Sequence, residues 1–365
     1  MYTETDFVQI AKRENNKKRN YLVVNRLQGK HVPVSPKAAF QVFDTLAEKL
    51  RDAYQNETLL LIGFAETATA IGARLSVRLN SYYMQTTREQ VKGADYIFFS
   101  EAHSHAMEQR LVRDDIEALI GKADRIVFVE DEVTTGKTIL NMISVLEKRY
   151  SNKLRFSVLS LLNGMDGDNL DLYAEKGIPL HYLLKTDHST FGEKAGQFMG
   201  DGSYVECDTH VVPQINEVEI LGYMNTRRLV DSSEYCAACE RLWESMKQQL
   251  TDDTFESVLV IGTEECMYPA LFLGNKLEMT GKMVKSHSTT RSPIAVSMEM
   301  NYPLHTRYEL KSLYDENRKT FLYDLDSYDK VIIVTDARAK EKTGIYSLLN
   351  AIYRMNDDIL VVRWC

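Results

Sequence analysis

Short apolar runs alternate with longer amphipathic stretches along this chain of 365 residues. Two examples are "TLLLIGF", which precedes "ETATAIGARLSVRL", and "RIVFVED", which precedes "TILNMISVLEKRY". Strands that are apolar at every position are buried on both faces, and helices between them cover those faces. The alternation therefore predicts an α/β fold built on a parallel sheet with helices on both sides. Ligands bind such sheets where the strands end, which directs attention to the loops at 63–68, 86–107 and 131–138.

The last of these loops follows an apolar run and combines acids with a glycine-lysine-threonine ending, in "IVFVEDEVTTGKTI" at residues 126–139. The ending matches that of a nucleotide P-loop, Gly-x-x-x-x-Gly-Lys-Thr. That motif needs glycine at position 131, where Asp131 stands. A carboxylate there would face the phosphate chain, so the sequence excludes a nucleotide P-loop.

Residues 126–138 instead resemble the thirteen-residue signature of phosphoribosyltransferases that use phosphoribosyl pyrophosphate. That signature has four apolar residues, two acids, two variable positions and then Thr-Thr-Gly-x-Thr. The resemblance implies a type I phosphoribosyltransferase-like sheet in which Glu130 and Asp131 are catalytic residues. As hydrogen-bond acceptors, they suit the ribose hydroxyls. The 5′-phosphate is then expected at the helix N-terminus, bound by Thr134, Thr135, Gly136, Lys137 and Thr138.

The same resemblance implies a pyrophosphate-binding loop, and "GFAETATAIG" at 63–72 occupies its place. Its backbone N–H groups at a helix start are expected to meet the anion, through residues Ala65, Glu66, Thr67, Ala68 and Thr69. Magnesium is expected to arrive on the substrate's phosphates, because Mg²⁺ keeps several waters and rarely has an all-protein cage. We therefore expect Mg²⁺ as cofactor but no dedicated metal site.

The segment at 85–111 lies where this family carries a mobile lid. There, Arg88 is expected to neutralise the leaving pyrophosphate, and lid closure to keep water off a reactive sugar cation. For His103 and His105, in "EAHSHA", two readings stay open. They act as general acid or base or as lid contacts, or they are structural or exposed histidines.

The second half of the chain echoes the first. "QTTRE" at 85–89 is answered by "STTRS" at 288–292, and "DRIVFVEDEVTTGKTIL" by "DKVIIVTDARAKEKTGIY". From Arg88 to Asp131 is 43 positions, and from Arg291 to Asp336 is 45. This agreement predicts a second, related α/β domain. Glycine and proline near 200–216 place the boundary there, with domains at 1–205 and 206–365.

The letters Thr-Arg-Ser-Pro in "HSTTRSPIAV" add a second resemblance. Together with the first half, they resemble a two-domain family whose C-terminal portion is the TRSP domain, found in bacterial tellurium-resistance and stress operons. That resemblance implies synthesis of a nucleoside-like or ribosylated small molecule. Because Thr335 stands where the first half has an acid, this copy is predicted to be degenerate. Its cleft is expected to hold an anion, or the half is a packing partner or dimer surface; the predicted cleft residues are Thr263, Glu264, Glu265, Thr290, Arg291, Ser292 and Asp336.

Composition limits the classes of partner. The chain is 44% hydrophobic and 26% charged, with net charge −8, as in globular proteins without a basic field for nucleic acid. We find no 18-residue apolar run and no signal segment, so neither a membrane nor secretion is expected. Five cysteines, an odd and sparse count, favour the reducing cytoplasm. Cys236 and Cys239 form a weak zinc signal, and a helix starting at Ser232 or Ser233 that buries them is the favoured reading.

The sequence thus favours a Mg²⁺-dependent transfer of the 5-phosphoribosyl group from phosphoribosyl pyrophosphate to an unidentified small acceptor. The alternatives are pyrophosphate-dependent cleavage of a nucleotide, a non-catalytic sensor of phosphoribosyl pyrophosphate, and an inert scaffold. Lys30 and His31 are possible contacts to the acceptor. A symmetric homodimer is possible, because it is the commonest oligomer.

Overall fold

The structure is a computed structural model, and it describes residues 2–14, 19–99, 109–150, 154–210, 214–250, 254–338 and 342–365. The helices of this part are α1 (Glu4–Phe7), α2 (Pro36–Ala53), α3 (Thr69–Leu79), α4 (Arg113–Leu119), α5 (Lys137–Tyr150), α6 (Gly167–Glu175), α7 (Phe191–Gln197), α8 (Ser232–Lys247), α9 (Tyr268–Met279) and α10 (Thr343–Ile352). The strands are β1 (Val8–Lys12), β2 (Tyr21–Asn25), β3 (Leu59–Gly63), β4 (Tyr82–Gln85), β5 (Tyr96–Phe98), β6 (Arg110–Val112), β7 (Arg125–Val133), β8 (Arg155–Asn163), β9 (Leu180–Lys185), β10 (Ser203–Glu206), β11 (Glu217–Ile220), β12 (Val230–Asp231), β13 (Ser257–Gly262), β14 (Met283–Ser288), β15 (Thr306–Lys311), β16 (Lys319–Tyr323), β17 (Lys330–Thr335) and β18 (Ile359–Trp364).

The chain forms two compact units, which we name by their motifs. The EDE unit contains the acids at 130–132 and comprises Phe40–Asp187 and Met224–Ala238. The TRSP unit contains the Thr-Arg-Ser-Pro motif and comprises Met1–Ala39, His188–Tyr223 and Cys239–Cys365. These units do not coincide with the predicted division at residues 205 and 206.

The EDE unit is built on a six-stranded sheet with the order β12-β4-β3-β7-β8-β9. All neighbours in it are parallel except β12 and β4. Every residue of β3 is buried, as expected for a strand covered on both faces. Gly63, the last residue of β3, pairs with Gln85 and with Val129. The loops that follow β3, β4 and β7 therefore emerge at the same edge.

The TRSP unit repeats this topology. Its five-stranded sheet has the order β11-β18-β17-β13-β14, and all its neighbours are parallel. Gly262 ends β13 as Gly63 ends β3, and it pairs with Ser288 and with Val334. The strands β4-β3-β7-β8 thus correspond to β14-β13-β17-β18 in the same spatial order. The predicted α/β fold, with parallel sheets and a second, related α/β unit, is confirmed.

The first strands of the chain belong to the TRSP unit because of their packing. β1 and β2 form an antiparallel pair, and Arg13 bridges to Ile294. Ala11, Leu22 and Val24 lie in one buried cluster with Ile294, Val296, Tyr302, Leu304, Phe321 and Tyr323. These long-range apolar contacts separate residues 1–39 from the stretch that follows them.

One smaller expectation can be checked as well. Helix α8 begins at Ser232, as predicted, and buries Cys239 completely, while Cys236 is half-buried. Among the described residues, no helix is both long and apolar enough to cross a membrane.

Candidate functional site

The acidic residues of the EDE unit lie at the end of a buried strand. Residues 125–129 of β7 are buried, whereas Glu130, Asp131 and Glu132 are half-buried. Asp131 is held in place by the loop after β3, because Thr67 Oγ1 donates a hydrogen bond to Asp131 Oδ1 at 2.8 Å. This bond brings together two loops that the sequence assigned to different parts of one ligand.

Burial and crowding by other acids change the proton affinity of Glu130. Its pKa is raised well above the ordinary value, first by desolvation and then by the charges of Asp131 and Glu132. The hydroxyl of Tyr173, which is completely buried, also has a raised pKa because of burial and then of Glu130's charge. A carboxyl in this setting favours neighbours that donate hydrogen bonds or carry positive charge.

The predicted phosphate loop connects β7 to α5. Thr134 is half-buried, Thr135, Lys137 and Thr138 are exposed, and α5 begins at Lys137. The first N–H groups of a helix have no partner within the helix, and its N-terminus carries partial positive charge. A phosphate at this position would therefore be stabilised by backbone amides and hydroxyl groups.

Gly136 is required by the shape of this loop. Its φ is +66°, which favours glycine, and a Cβ at this position would lie 2.3 Å from Tyr173 Oη and 2.6 Å from Met165 Cε. Tyr173 Oη donates to the carbonyl oxygen of Gly136 at 2.7 Å. The buried tyrosine thus fixes the turn that aims the start of α5.

The predicted pyrophosphate loop runs from Gly63 to the start of α3 at Thr69. Its Ala65–Glu66 peptide bond is cis. The sequence predicts that the N–H groups of Ala65 and Ala68 bind the anion, but both donate hydrogen bonds within the protein instead. Ala65 N donates to Thr86 Oγ1 at 2.8 Å, and Ala68 N donates to the Phe64 carbonyl at 2.9 Å. The amides of Glu66 and Thr67 lie between these two anchored groups.

Arg88 lies three residues beyond the end of β4. Thr87 exchanges backbone hydrogen bonds with Arg110, whose Nη2 also donates to the Arg88 carbonyl at 2.8 Å. Arg88 itself is half-buried. His103 and His105 lie outside the described residues. The sites at 65–69, 88 and 130–138 are therefore placed along the carboxyl edge of one sheet. In the described part of the chain, no group of three or more His, Cys, Asp or Glu side chains is arranged to hold a metal ion.

The corresponding edge of the TRSP unit has a different character, because its charged side chains bind one another. Glu264, which is 1% exposed, receives Arg291 Nε at 2.8 Å, Arg318 Nη2 at 3.0 Å and Ser312 Oγ at 2.5 Å. Arg291 Nη2 also donates to Glu265 Oε1 at 3.1 Å. The predicted anion-binding arginine is thus already paired with two carboxylates of its own chain.

Asp336 is likewise engaged within the TRSP unit. Its two carboxylate oxygens accept hydrogen bonds from Tyr314 Oη and Tyr223 Oη, each at 2.5 Å. Thr263 Oγ1 lies 2.8 Å from Tyr314 Oη, so it belongs to the same cluster. Asp336 corresponds to Asp131 through the pairing of Val334 with Gly262 and of Val129 with Gly63. The carboxylate oxygens of Asp336 thus accept hydrogen bonds from tyrosine hydroxyls, whereas those of Asp131 are predicted to accept them from ribose hydroxyls.

Of the remaining predicted residues of the cleft, Thr290 is buried and Ser292 is half-buried. Thr290 is completely buried, and its hydroxyl accepts a hydrogen bond from Ser292 N at 3.2 Å. Lys30 and His31, considered as contacts to an acceptor, are buried too. Lys30 Nζ donates to the carbonyls of Glu264 at 3.1 Å and Thr289 at 2.9 Å. All seven predicted cleft residues therefore lie at one edge of the sheet.

Sequence reasoning missed several residues that contact the predicted site residues in each unit. In the TRSP unit they are Ser312, Tyr314, Arg318 and Tyr223, and in the EDE unit Thr86, Gln109 and Tyr173. Thr86 was within reach of the sequence, because it precedes Arg88 as Thr289 precedes Arg291. Nothing local to the others marks them.

Comparison with known proteins gives two family matches. Residues 7–184 match the family model described as phosphoribosyl transferase. Residues 229–352 match the model described as the TRSP domain C-terminal to that transferase. No curated protein sequence matches the chain significantly.

Solved structures with a similar fold include several phosphoribosyltransferases. The adenine phosphoribosyltransferase of Giardia lamblia, complexed with 9-deazaadenine, is 13% identical over 50% of this chain and 94% of its own, with TM-score 0.36. That of Trypanosoma brucei, in complex with AMP, pyrophosphate and ribose-5-phosphate, is 15% identical over 53% and 80%, with TM-score 0.36. The orotate phosphoribosyltransferase of Aeropyrum pernix is 20% identical over 44% and 77%, with TM-score 0.29.

The two family matches follow one another in the order that the second description states, and together they cover most of the chain. The chain therefore belongs to the family of phosphoribosyltransferases with a C-terminal TRSP domain, and it is a transferase enzyme.

Proposed function

We propose that the EDE unit transfers a 5-phosphoribosyl group from phosphoribosyl pyrophosphate to a nitrogen of a small acceptor, releasing pyrophosphate. The observation that carries this proposal is the hydrogen bond between Thr67 and Asp131, because it joins the loop suited to pyrophosphate with the acids suited to ribose. The 5′-phosphate would lie at the start of α5, on residues 134–138. One extended ligand can thus contact all three parts.

In this proposal the residues act chiefly by position and charge. The oxygens of Glu130 and Asp131 accept hydrogen bonds from the 2′- and 3′-hydroxyls. As positive charge develops at the anomeric carbon, these carboxylates also stabilise it. Arg88 offsets the charge of the departing pyrophosphate. No covalent intermediate on the protein is needed, because the donor already carries a good leaving group held in place.

Magnesium fits this site as an ion carried by the substrate. The half-buried acids at 130–132 supply the hard oxygen atoms that Mg²⁺ prefers, and all three lie on one strand near its end. When bound on the diphosphate, the ion would offset its negative charge. Glu130 and Asp131 are the residues that would face its water shell.

The first experiment is a calorimetric titration with phosphoribosyl pyrophosphate, with and without Mg²⁺, beside ribose 5-phosphate. Wild-type protein is expected to bind the donor in a Mg²⁺-dependent way. Asp131→Asn should weaken this binding about tenfold, since it removes a charged acceptor. Asp168→Asn, at an exposed acid of α6, is the matched control and should bind normally. Absence of binding by the wild-type protein would refute the proposal.

The alternatives are separated by turnover. A sensor binds phosphoribosyl pyrophosphate but does not speed release of pyrophosphate when a small-molecule extract is added as acceptor, whereas the proposed transferase does. An enzyme working toward nucleotide cleavage produces phosphoribosyl pyrophosphate from nucleotides and pyrophosphate. The family resemblance further supports a biosynthetic role in tellurium-resistance and stress systems. The sparse cysteines favour a cytoplasmic location. The acceptor's identity and a homodimer stay predictions.

A further inference from the structure

The backbone of Ala65 is held at both its N–H group and its carbonyl group by a ring of hydrogen bonds. Ala65 N donates to Thr86 Oγ1 at 2.8 Å, and Thr86 Oγ1 donates to Gln109 Oε1 at 2.7 Å. Gln109 Nε2 closes the ring by donating to the Ala65 carbonyl at 3.1 Å. Thr86 is completely buried. The ring therefore fixes the direction of the backbone as it enters the pyrophosphate loop.

The TRSP unit holds the backbone of the corresponding residue, Glu264, in a similar way, so the arrangement recurs in both loops. Thr86 N donates to the Gly63 carbonyl at 2.9 Å, and Thr289 N donates to the Gly262 carbonyl at 3.0 Å. Thr289 Oγ1 then accepts from Glu264 N at 3.0 Å. The Glu264 carbonyl accepts from Lys30 Nζ at 3.1 Å. A threonine hydroxyl thus holds the amide in both units, and a second side chain holds the carbonyl.

The side chain that binds the loop carbonyl differs in charge between the two units. In the TRSP unit it is the ammonium of Lys30, and the loop carries the buried carboxylates of Glu264 and Glu265. In the EDE unit it is the neutral amide of Gln109, and Ala65 has no charge to contribute. The neutral ring fixes the backbone without adding a charge of its own beside the loop.

We propose that Thr86 and Gln109 are positioning residues that hold the loop at 65–68 in the conformation that receives pyrophosphate. This inference rests on the proposed function, because it concerns the pyrophosphate end of the same phosphoribosyl donor. Neither residue needs to touch the ligand. Their effect passes through the peptide of Ala65 to the amides of Glu66 and Thr67, which follow it.

Titrations with two ligands test this role. Magnesium pyrophosphate probes the loop at 65–68, whereas ribose 5-phosphate probes the acids and the phosphate loop. Thr86→Val keeps the side-chain shape but removes the hydroxyl, and Gln109→Met removes both amide atoms. Each is expected to weaken pyrophosphate binding about tenfold, the equivalent of one to two hydrogen bonds, and to change ribose 5-phosphate binding less than about twofold. Thr86→Ser retains the hydroxyl and should bind both ligands normally.

Because either substitution alone breaks the ring of hydrogen bonds, the double variant gives a further test. Thr86→Val combined with Gln109→Met should therefore weaken pyrophosphate binding by less than the product of the single effects. Unchanged pyrophosphate binding in both single variants would overturn the inference. So would an equal loss for both ligands, since that indicates a purely structural role.

Failure of the proposed function has a different signature. If the wild-type protein binds neither ligand, the proposed function falls and this inference falls with it. If the wild-type protein binds ribose 5-phosphate but not magnesium pyrophosphate, only the inference is overturned. The half-buried Gln109 keeps the test available if the variants at buried Thr86 do not fold.

Discussion

Replacing Glu264 is the most demanding test of how the TRSP unit is built. The carboxylate is buried and accepts hydrogen bonds from Arg291, Arg318 and Ser312 at 2.5–3.0 Å. Glu264→Ala removes it and leaves two nearly buried guanidinium groups without this anion. Removing one partner of a buried ion pair costs about 3–5 kcal/mol, because the remaining charge stays desolvated. We expect a loss of that size in the free energy of unfolding.

The backbone at this residue allows a sharper comparison. Glu264 has φ of +47°, a conformation that costs an alanine roughly 1 kcal/mol and a glycine almost nothing. Glu264→Gly removes the same carboxylate but also removes this backbone cost. It should therefore be less destabilised than Glu264→Ala by about 1 kcal/mol, although glycine is normally the more destabilising replacement.

The tryptophans make the measurement specific to this unit. The chain has two, and both Trp243 and Trp364 are buried in the TRSP unit. Their fluorescence during urea unfolding therefore reports on the unit that contains Glu264. Glu299→Ala, at an exposed acid of the same unit, is the control and should cost about 0.5 kcal/mol or less. A loss below about 1 kcal/mol for Glu264→Ala, or a glycine variant no more stable than the alanine variant, would refute the reasoning.

Two further predictions concern the EDE unit. Gly136→Ala should lower stability by about 2–4 kcal/mol and abolish ribose 5-phosphate binding, because its Cβ meets Tyr173 Oη. Gly177→Ala is the control, because Gly177 has a similar φ of +62° and a Cβ added there would meet no atom within 4 Å. Calorimetry should show only the backbone cost, with normal binding of ribose 5-phosphate. Equal behaviour of the two variants would count against a clash at Gly136. Glu130→Gln should raise the melting temperature at neutral pH, since burial and neighbouring acids raise the pKa of Glu130 and ionisation opposes folding above its unfolded value near 4.5. The gain should disappear toward pH 4.5 in scanning calorimetry, and a gain independent of pH would contradict this explanation.

Local sequence patterns were sufficient for several buried strands of the two parallel sheets and for the main loops, but not for the antiparallel pair β15 and β16. Continuous apolar runs such as 59–63 predicted buried strands, and the observed strands lie there. The alignment of Asp336 with Asp131 agrees with the register of both sheets. A strand that is buried on both faces is a continuous apolar run, and the aligned acids stand at a fixed distance from such runs. Both patterns can be recognised from residues that are close together in the sequence.

Contacts between distant residues were beyond the sequence. Gln109 reaches Ala65 across 44 positions only because Thr87 and Arg110 bridge in a particular register. The pairing of Arg291 with Glu264 depends on a positive φ at a residue that is not glycine. Neither the register of an irregular bridge nor a rare backbone conformation has a signature in one sequence.

The interleaved path of the chain has a practical consequence. The two segments of the EDE unit alternate along the chain with the three segments of the TRSP unit. A gene cut after residue 205 would give one product the apolar faces of β1 and β2 and the other product their packing partners at 294–323. Both fragments would expose core surface and tend to aggregate. We therefore expect the two units to fold only when they are expressed as one polypeptide.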